Sequence, residues 1–197
     1  MSTRDRIVAE GMRLFADRGY TATSVAEIEK AAGLSPGSGG LYRHFRSKEA
    51  LLEAGVRERI AAIDDLAPLL EGLGPDVEVR ETLRAIARVA FGRLDGEHDL
   101  NRLLLRDLSA FPRLLALFRD GELRRLHALL SEALRRLAPR HPDPDALAAI
   151  AISAVSHHWT LADVYGGPHP LGIDRDRFAD ALGDLVAAAV LPEGDLP

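Results

Sequence analysis

The run Leu41-Tyr42-Arg43-His44-Phe45 sets three hydrogen-bonding side chains between two apolar ones. A phenol hydroxyl, a guanidinium and an imidazole are groups that bond phosphates and the edges of nucleic-acid bases. Leu41 and Phe45 are four residues apart and share one helix face. That face is predicted to anchor the segment to a core while Tyr42, Arg43 and His44 project elsewhere. Other chemistry is sparse. His157-His158-Trp159 invites a metal reading, but adjacent helical residues point about 100° apart, so the two histidines do not form a same-face zinc pair. There is no cysteine for a disulfide or thiolate site. No nucleophile motif, phosphate loop or metal spacing is present, so neither an enzyme nor a bound metal or cofactor is expected.

Several helical elements flank this run and hold it. A helix is predicted from about Thr3 to Arg18, with Ile7, Gly11, Leu14 and Phe15 at helical spacing and Gly19 as its stop. Ser24-Val25-Ala26-Glu27 is a capping box opening a second helix, which ends near Ala32 with Gly33 as C-cap. A tight turn at Gly33-Leu34-Ser35 leads to a short third helix between Ser38 and Phe45. Ser47 caps a fourth, running through Leu51, Leu52, Val56 and Ile60 to about Leu66. Two short helices around a glycine turn are the plan of a helix-turn-helix, the first on the phosphate backbone and the second in the major groove.

Charge distribution agrees. The net charge is −5, but residues 1–48 carry +3 and the remainder −8. Lys48 falls in the first turn of the fourth helix, where the dipole disfavours a cation, which suggests an external anionic partner.

The pattern Ile7…Leu14-Phe15-Ala16…Gly19-Tyr20…Thr23-Ser24-Val25…Ile28…Ala31-Ala32-Gly33-Leu34-Ser35…Leu41-Tyr42-Arg43-His44-Phe45…Ser47-Lys48-Glu49-Ala50-Leu51 resembles the TetR family of bacterial regulators. The resemblance covers about the first 55 residues. It implies that Tyr42, His44 and Lys48 contact operator phosphates and that the start of the recognition helix touches base edges. Ser24, Ser35, Ser38, Gly39 and Arg43 complete the expected DNA-binding set. One stretch departs from the family pattern: Ser35-Pro36-Gly37-Ser38-Gly39-Gly40 is about two residues longer than usual. Ser38 and Gly39 are the candidates for close backbone approach, because glycine has no Cβ to hold the chain away.

Beyond Leu52 the reading rests on pattern. Pro68 and the run Gly72-Leu73-Gly74-Pro75 interrupt it, and helices are predicted at about 78–94, 99–110, 112–138, 144–165 and 175–191, the last ended by Pro192. Helix 144–165 carries two apolar stripes covering about half its circumference, more than one core needs. With helix 175–191 it is expected to build a symmetric four-helix dimer interface through Ile150, Ala154, Leu161, Phe178, Leu182 and Leu185. Ala179, Ala187 and Ala188 would permit close helix approach there. Arg106, Phe118, His127, His158, Trp159 and Asp163 form a candidate ligand pocket, mostly apolar with a few polar groups. The expected fold is all-α: a three-helix DNA-binding head, residues 1–48, followed by a helical regulatory and dimerisation domain, residues 49–197. The expected function is a ligand-responsive repressor that binds a palindromic operator as a homodimer and is released by a small molecule. A DNA-binding protein without a ligand is the alternative. No stretch approaches the ~18 apolar residues of a membrane span, so a cytoplasmic protein with no membrane partner is expected.

Overall fold

The computed structural model describes residues 1–61, 67–72 and 78–191. The described residues form helices and no strand: α1 (Thr3–Arg18), α2 (Val25–Ala31), a 3₁₀ turn (Leu41–Arg43), α3 (Lys48–Ala61), α4 (Ala67–Glu71), α5 (Val79–Gly96), α6 (His98–Arg106), α7 (Pro112–Phe118), α8 (Arg124–Leu137), α9 (Pro144–Val164) and α10 (Arg175–Val190). The expected end of the fourth helix near Leu66, the break at Leu73-Gly74-Pro75 and the stop at Pro192 lie outside the described residues.

Most of the predicted helices are present, and three of those after α3 differ from expectation. The helix predicted at about 78–94 extends slightly further, α5 ending on Gly96. The segment 99–110 is α6 followed by a separate 3₁₀ turn, Leu108–Ala110. The expected helix 112–138 is interrupted by a π-helical turn, Arg119–Leu123. Gly121 lies within that turn, where an added Cβ would stand 2.8 Å from Ile60 Cγ2. The backbone is pressed against a residue 61 positions away in sequence, and apolar periodicity carries no sign of it.

The chain divides into two compact units, residues 1–62 with 97–122, and residues 63–96 with 123–197. This differs from the expected division after residue 48. In the first unit Leu100, Leu103, Leu114 and Phe118 share one core with Ile7, Phe15, Ile28, Leu51, Leu52 and Val56. Arg106 ties the same two regions. Its guanidinium donates to the carbonyls of Phe15 at 2.5 Å and Ala16 at 2.8 Å. Those carbonyls lie in the last turn of α1, where the dipole is negative; Phe15 O also accepts from the Gly19 N–H at 2.9 Å. The neighbouring Asp107 accepts the Tyr20 N–H at 3.1 Å. Arg106 is therefore a helix cap and Phe118 a core residue of this unit, which removes both from the expected ligand pocket.

In the second unit α5 and α10 run antiparallel. Arg80 pairs with Asp184, Arg84 with Asp184, Arg88 with Asp176 and Asp180, and Arg175 with Asp95. The helices meet along Ala179, Gly183 and Ala187, spaced by four and buried. A Cβ on Gly183 would stand 2.5 Å from Arg84 Cγ and 3.0 Å from its backbone nitrogen. Of the small residues expected to face another subunit, Ala179 and Ala187 thus admit α5 of the same chain, while Ala188 is exposed.

Candidate nucleic-acid interface

The helix-turn-helix is built by hydrogen bonds that the sequence partly announces. Ser24 Oγ accepts from the Glu27 N–H, and the Glu27 carboxylate accepts from the Ser24 N–H at 2.8 Å, so the capping box is closed. Gly33 takes φ +75° after α2. Ser35-Pro36-Gly37-Ser38 then forms a turn closed by Ser38 N–H to Ser35 O at 3.2 Å, with Gly37 at φ +73°. Proline second and a positive-φ glycine third are the type II pattern. Gly39, also at φ +73°, leads into Gly40 in ordinary helical geometry.

The expected third helix is a single 3₁₀ turn, Leu41–Arg43. The glycines are the reason. Two positive-φ residues in three interrupt any right-handed helix before Leu41, and the chain re-enters helical geometry only at Gly40. Leu41 and Phe45 are buried, while Tyr42 is 56% exposed and Arg43 and His44 are exposed.

Glu29 carries no motif signature, and it organises this turn. The residue has no solvent exposure. Its carboxylate accepts from the Gly37 N–H at 2.6 Å and the Leu41 N–H at 3.0 Å, and its carbonyl accepts from the Leu34 N–H at 2.8 Å. One residue of α2 thus holds both ends of the glycine-rich stretch. The signal available in the sequence was a carboxylate beside Ile28, on the buried side of a short amphipathic helix.

The positive charge of residues 1–48 is not spread evenly once pairing is considered. Arg4 pairs with Glu58, Arg13 with Glu10 and Asp17, and Arg18 with Glu27. Lys30, Arg43 and Arg46 are exposed and have no ion-pair partner among the described residues. The exposed cations without an ion pair among the described residues therefore lie in the helix-turn-helix or directly after it.

Comparison with known proteins agrees with this arrangement. Residues 7–54 match the family described as bacterial regulatory proteins, tetR family. Over these residues the chain is similar to the TetR family. Among TetR-like relatives, the transcriptional repressor KstR2 of Rhodococcus jostii is 37% identical over 87 residues, 44% of this chain and 40% of that protein. The regulator TcmR of Streptomyces glaucescens is 29% identical over 194 residues, 97% of this chain and 72% of its own. The match to KstR2 thus spans less than half of that repressor's length. The reduced form of NemR from Escherichia coli superposes with TM-score 0.71 at 22% identity, over 96% of this chain and 98% of that one. FadR of Bacillus halodurans gives 0.70 at 20%, over 94% and 95%. These two likenesses establish the fold.

Lys48, implied by the TetR resemblance to touch a phosphate, is engaged inside the head. Its ammonium donates to the carbonyls of Tyr20 at 2.7 Å and Thr23 at 2.8 Å and lies 4.2 Å from the centre of the Tyr20 ring. It joins the start of α3 to the α1–α2 connection, which accounts for a cation at a helix N-terminus without an external anion. Ser24 likewise uses its hydroxyl within the cap. Ser35, Ser38, Tyr42, Arg43 and His44 are exposed and Gly39 half-buried, so these six line the surface around the glycine turn.

In the second unit the remaining expected pocket residues do not converge. His127 Nε2 donates to the Asp145 carbonyl at 2.9 Å. Trp159 is buried, and its indole N–H donates to Asp95 at 3.0 Å. Asp163 is half-buried near the end of α9. His158 is 3% exposed, stacked 4.0 Å from His169 and 4.2 Å from the Phe178 ring. It backs an open pocket of about 440 Å³ that Ala162, Pro168, His169, Ile173 and Arg175 also line. Burial pushes the His158 imidazole pKa down, and the nearby His169 and Arg175 add to this.

The six expected interface residues also separate. Leu182 is buried in the unit's own core and Phe178 packs on it. Ile150 and Leu185 are 57% and 63% exposed, and Ala154 and Leu161 are half-buried. The periodicity marked both stripes of α9 as apolar; the one containing Ala148, Val155 and Trp159 is in the core, and of the other Leu147, Ala151 and Ala154 pack partly against that core while Ile150 is exposed.

Proposed function

We propose that this chain is a DNA-binding transcriptional repressor acting as a homodimer on a two-half-site operator. The observation that carries the reading is the glycine turn and the 3₁₀ segment after it. Leu41 and Phe45 hold that segment to the head, and Tyr42, Arg43, His44 and Arg46 are exposed around it with no carboxylate partner among the described residues. The name of the repressor KstR2, similar over 87 residues, supports repression. Fluorescence anisotropy with labelled duplex DNA tests the reading. Affinity should fall linearly with salt on logarithmic axes, as expected for phosphate neutralisation. Absence of binding at about 50 mM salt would overturn it.

Dimerisation belongs to the same proposal. The outward side of α9 presents Ala146, Ile150, Ser153, Ala154, His157, Leu161 and Val164 without one carboxylate, lysine or arginine. On α10, Ala181, Leu185, Ala188 and Ala189 are exposed. Water-facing helix surfaces ordinarily carry charge, so a second copy is the fitting cover, by an isologous contact. Release by a small molecule completes the proposal, and the open pocket at the α9–α10 connection offers a volume of the size that small ligands occupy. A protein working on chromosomal DNA acts in the cytoplasm. No helix among the described residues is long and apolar enough to cross a membrane.

A further inference from the structure

We propose that Glu29 is the positioning residue for DNA sequence reading, an inference that rests on the DNA-binding reading above. The family pattern has a shorter link between the turn serine and the Leu-Tyr pair. Here the link contains three glycines, two of them at φ +73°. Such a stretch has low intrinsic order, because glycine samples both signs of φ about equally. A loose segment would present many surfaces to the duplex and read none well, since each ordering cost is met on binding.

Glu29 removes that freedom. Its two carboxylate oxygens bond separate amides, Gly37 and Leu41, at the two ends of the glycine segment, from a site without solvent exposure. Carboxylate bonds to backbone N–H groups are charge-assisted and roughly twice as strong as neutral ones. Gly40 is packed into the same corner: a Cβ there would lie 3.1 Å from Leu34 Cδ1 and 3.7 Å from Glu29 Oε1. The amides of Gly39 and Gly40 make no hydrogen bond within the described residues. With Ser35 and Ser38 exposed beside them, the fixed turn offers backbone and hydroxyl donors without side-chain bulk. Those donors fit acceptor atoms of a duplex, phosphate oxygens or base edges. Glu29 touches none of this DNA. It sets the conformation in which the turn meets it.

The test uses the full-length chain and a duplex library with a randomised central segment. Wild type, Glu29→Gln, Glu29→Asp and Glu29→Ala are selected in parallel. Affinity for the wild-type consensus is then compared with affinity for an unrelated duplex. Asp is one methylene short of spanning both amides, and Gln keeps one acceptor oxygen. The expected result is a tenfold or greater fall in the consensus-to-unrelated ratio for Asp and Ala, with Gln intermediate. Salt-driven binding to the unrelated duplex should be preserved. Amide hydrogen exchange at Gly37 and Leu41 should quicken in the same variants and stay slow in α1 and α3. A merely structural role would lower both affinities together. Unchanged ratios in folded Asp and Ala variants, or unchanged protection of both amides, would overturn the proposal. If wild type itself enriches no sequence, the DNA-reading function fails, whereas the amide exchange still reports on the Glu29 anchor.

Discussion

At the scale of single residues, burial and pairing redirect several side chains whose types alone suggested ligand contact. Lys48 is the clearest. Its two carbonyl bonds make it a brace between α3 and the α1–α2 connection. Lys48→Met should cost about 1–3 kcal/mol of stability, measured by urea unfolding, and leave the salt slope of DNA binding unchanged. A slope lower by about one at unchanged stability would return Lys48 to the phosphate. His158 makes a second case. Burial holds its folded-state pKa below the ordinary 6.5, so the unfolded chain binds a proton more readily. Stability should therefore be complete above about 6.5 and decline as pH falls through the window beneath it. His158→Phe keeps an aromatic ring between His169 and Phe178 and should flatten that decline. Thermal melts at pH 7.5 and 5.5 compare the two, and an equal decline in both proteins would show that the imidazole is not responsible.

Elements depend on where glycine lets backbone go. Gly39 sits at φ +73° with only Tyr42 Cδ2, at 3.9 Å, near an added Cβ. Gly39→Ala should therefore strain the turn by about 1–2 kcal/mol without a packing clash. Gly40 has φ −58° and should accept alanine with only a slight shift of Leu34. Operator affinity should fall at least tenfold for Gly39→Ala and much less for Gly40→Ala, and equal affinities would show that the turn conformation is not read. In the second unit Gly183→Ala drives a methyl into the Arg84 backbone. Overpacking of this kind typically costs about 1–3 kcal/mol, to be seen as a lower unfolding midpoint. A midpoint matching wild type would mean that α10 shifts off α5 at no cost.

For the whole molecule, the decisive question is what covers α9 and α10. Ile150 and Leu185 are already more than half exposed. A charge at either position should leave the isolated chain folded, unlike Leu182, whose burial makes it a poor probe. Wild type should sediment as a dimer at micromolar concentration. The pair Ile150→Glu with Leu185→Glu should sediment as a monomer with unchanged helical circular dichroism. Monomeric wild type, or a dimer that persists in the double variant, would place the interface elsewhere. Loss of the dimer should also weaken operator binding, because two recognition elements must enter major grooves about 34–36 Å apart.

Local signals determined much of this protein. Capping at Ser24 and Ser47, the glycine after α2, apolar spacing in α1, α5, α9 and α10, and the Leu41–Phe45 block all act within a few residues. Propensity and periodicity report such short-range physics directly, so the all-helical class and the helix-turn-helix were legible. Tertiary structure decided what depends on residues far apart in sequence. Glu29 reaches Leu41 across twelve positions, Arg106 caps a helix some ninety residues earlier, and Gly121 yields to Ile60. α9 had two apolar stripes of similar quality, and a hydrophobic pattern records that a face avoids water without recording which surface covers it. Packing of α9 with α5 and α8 made that assignment, and the face it left over is the one proposed to meet a second copy.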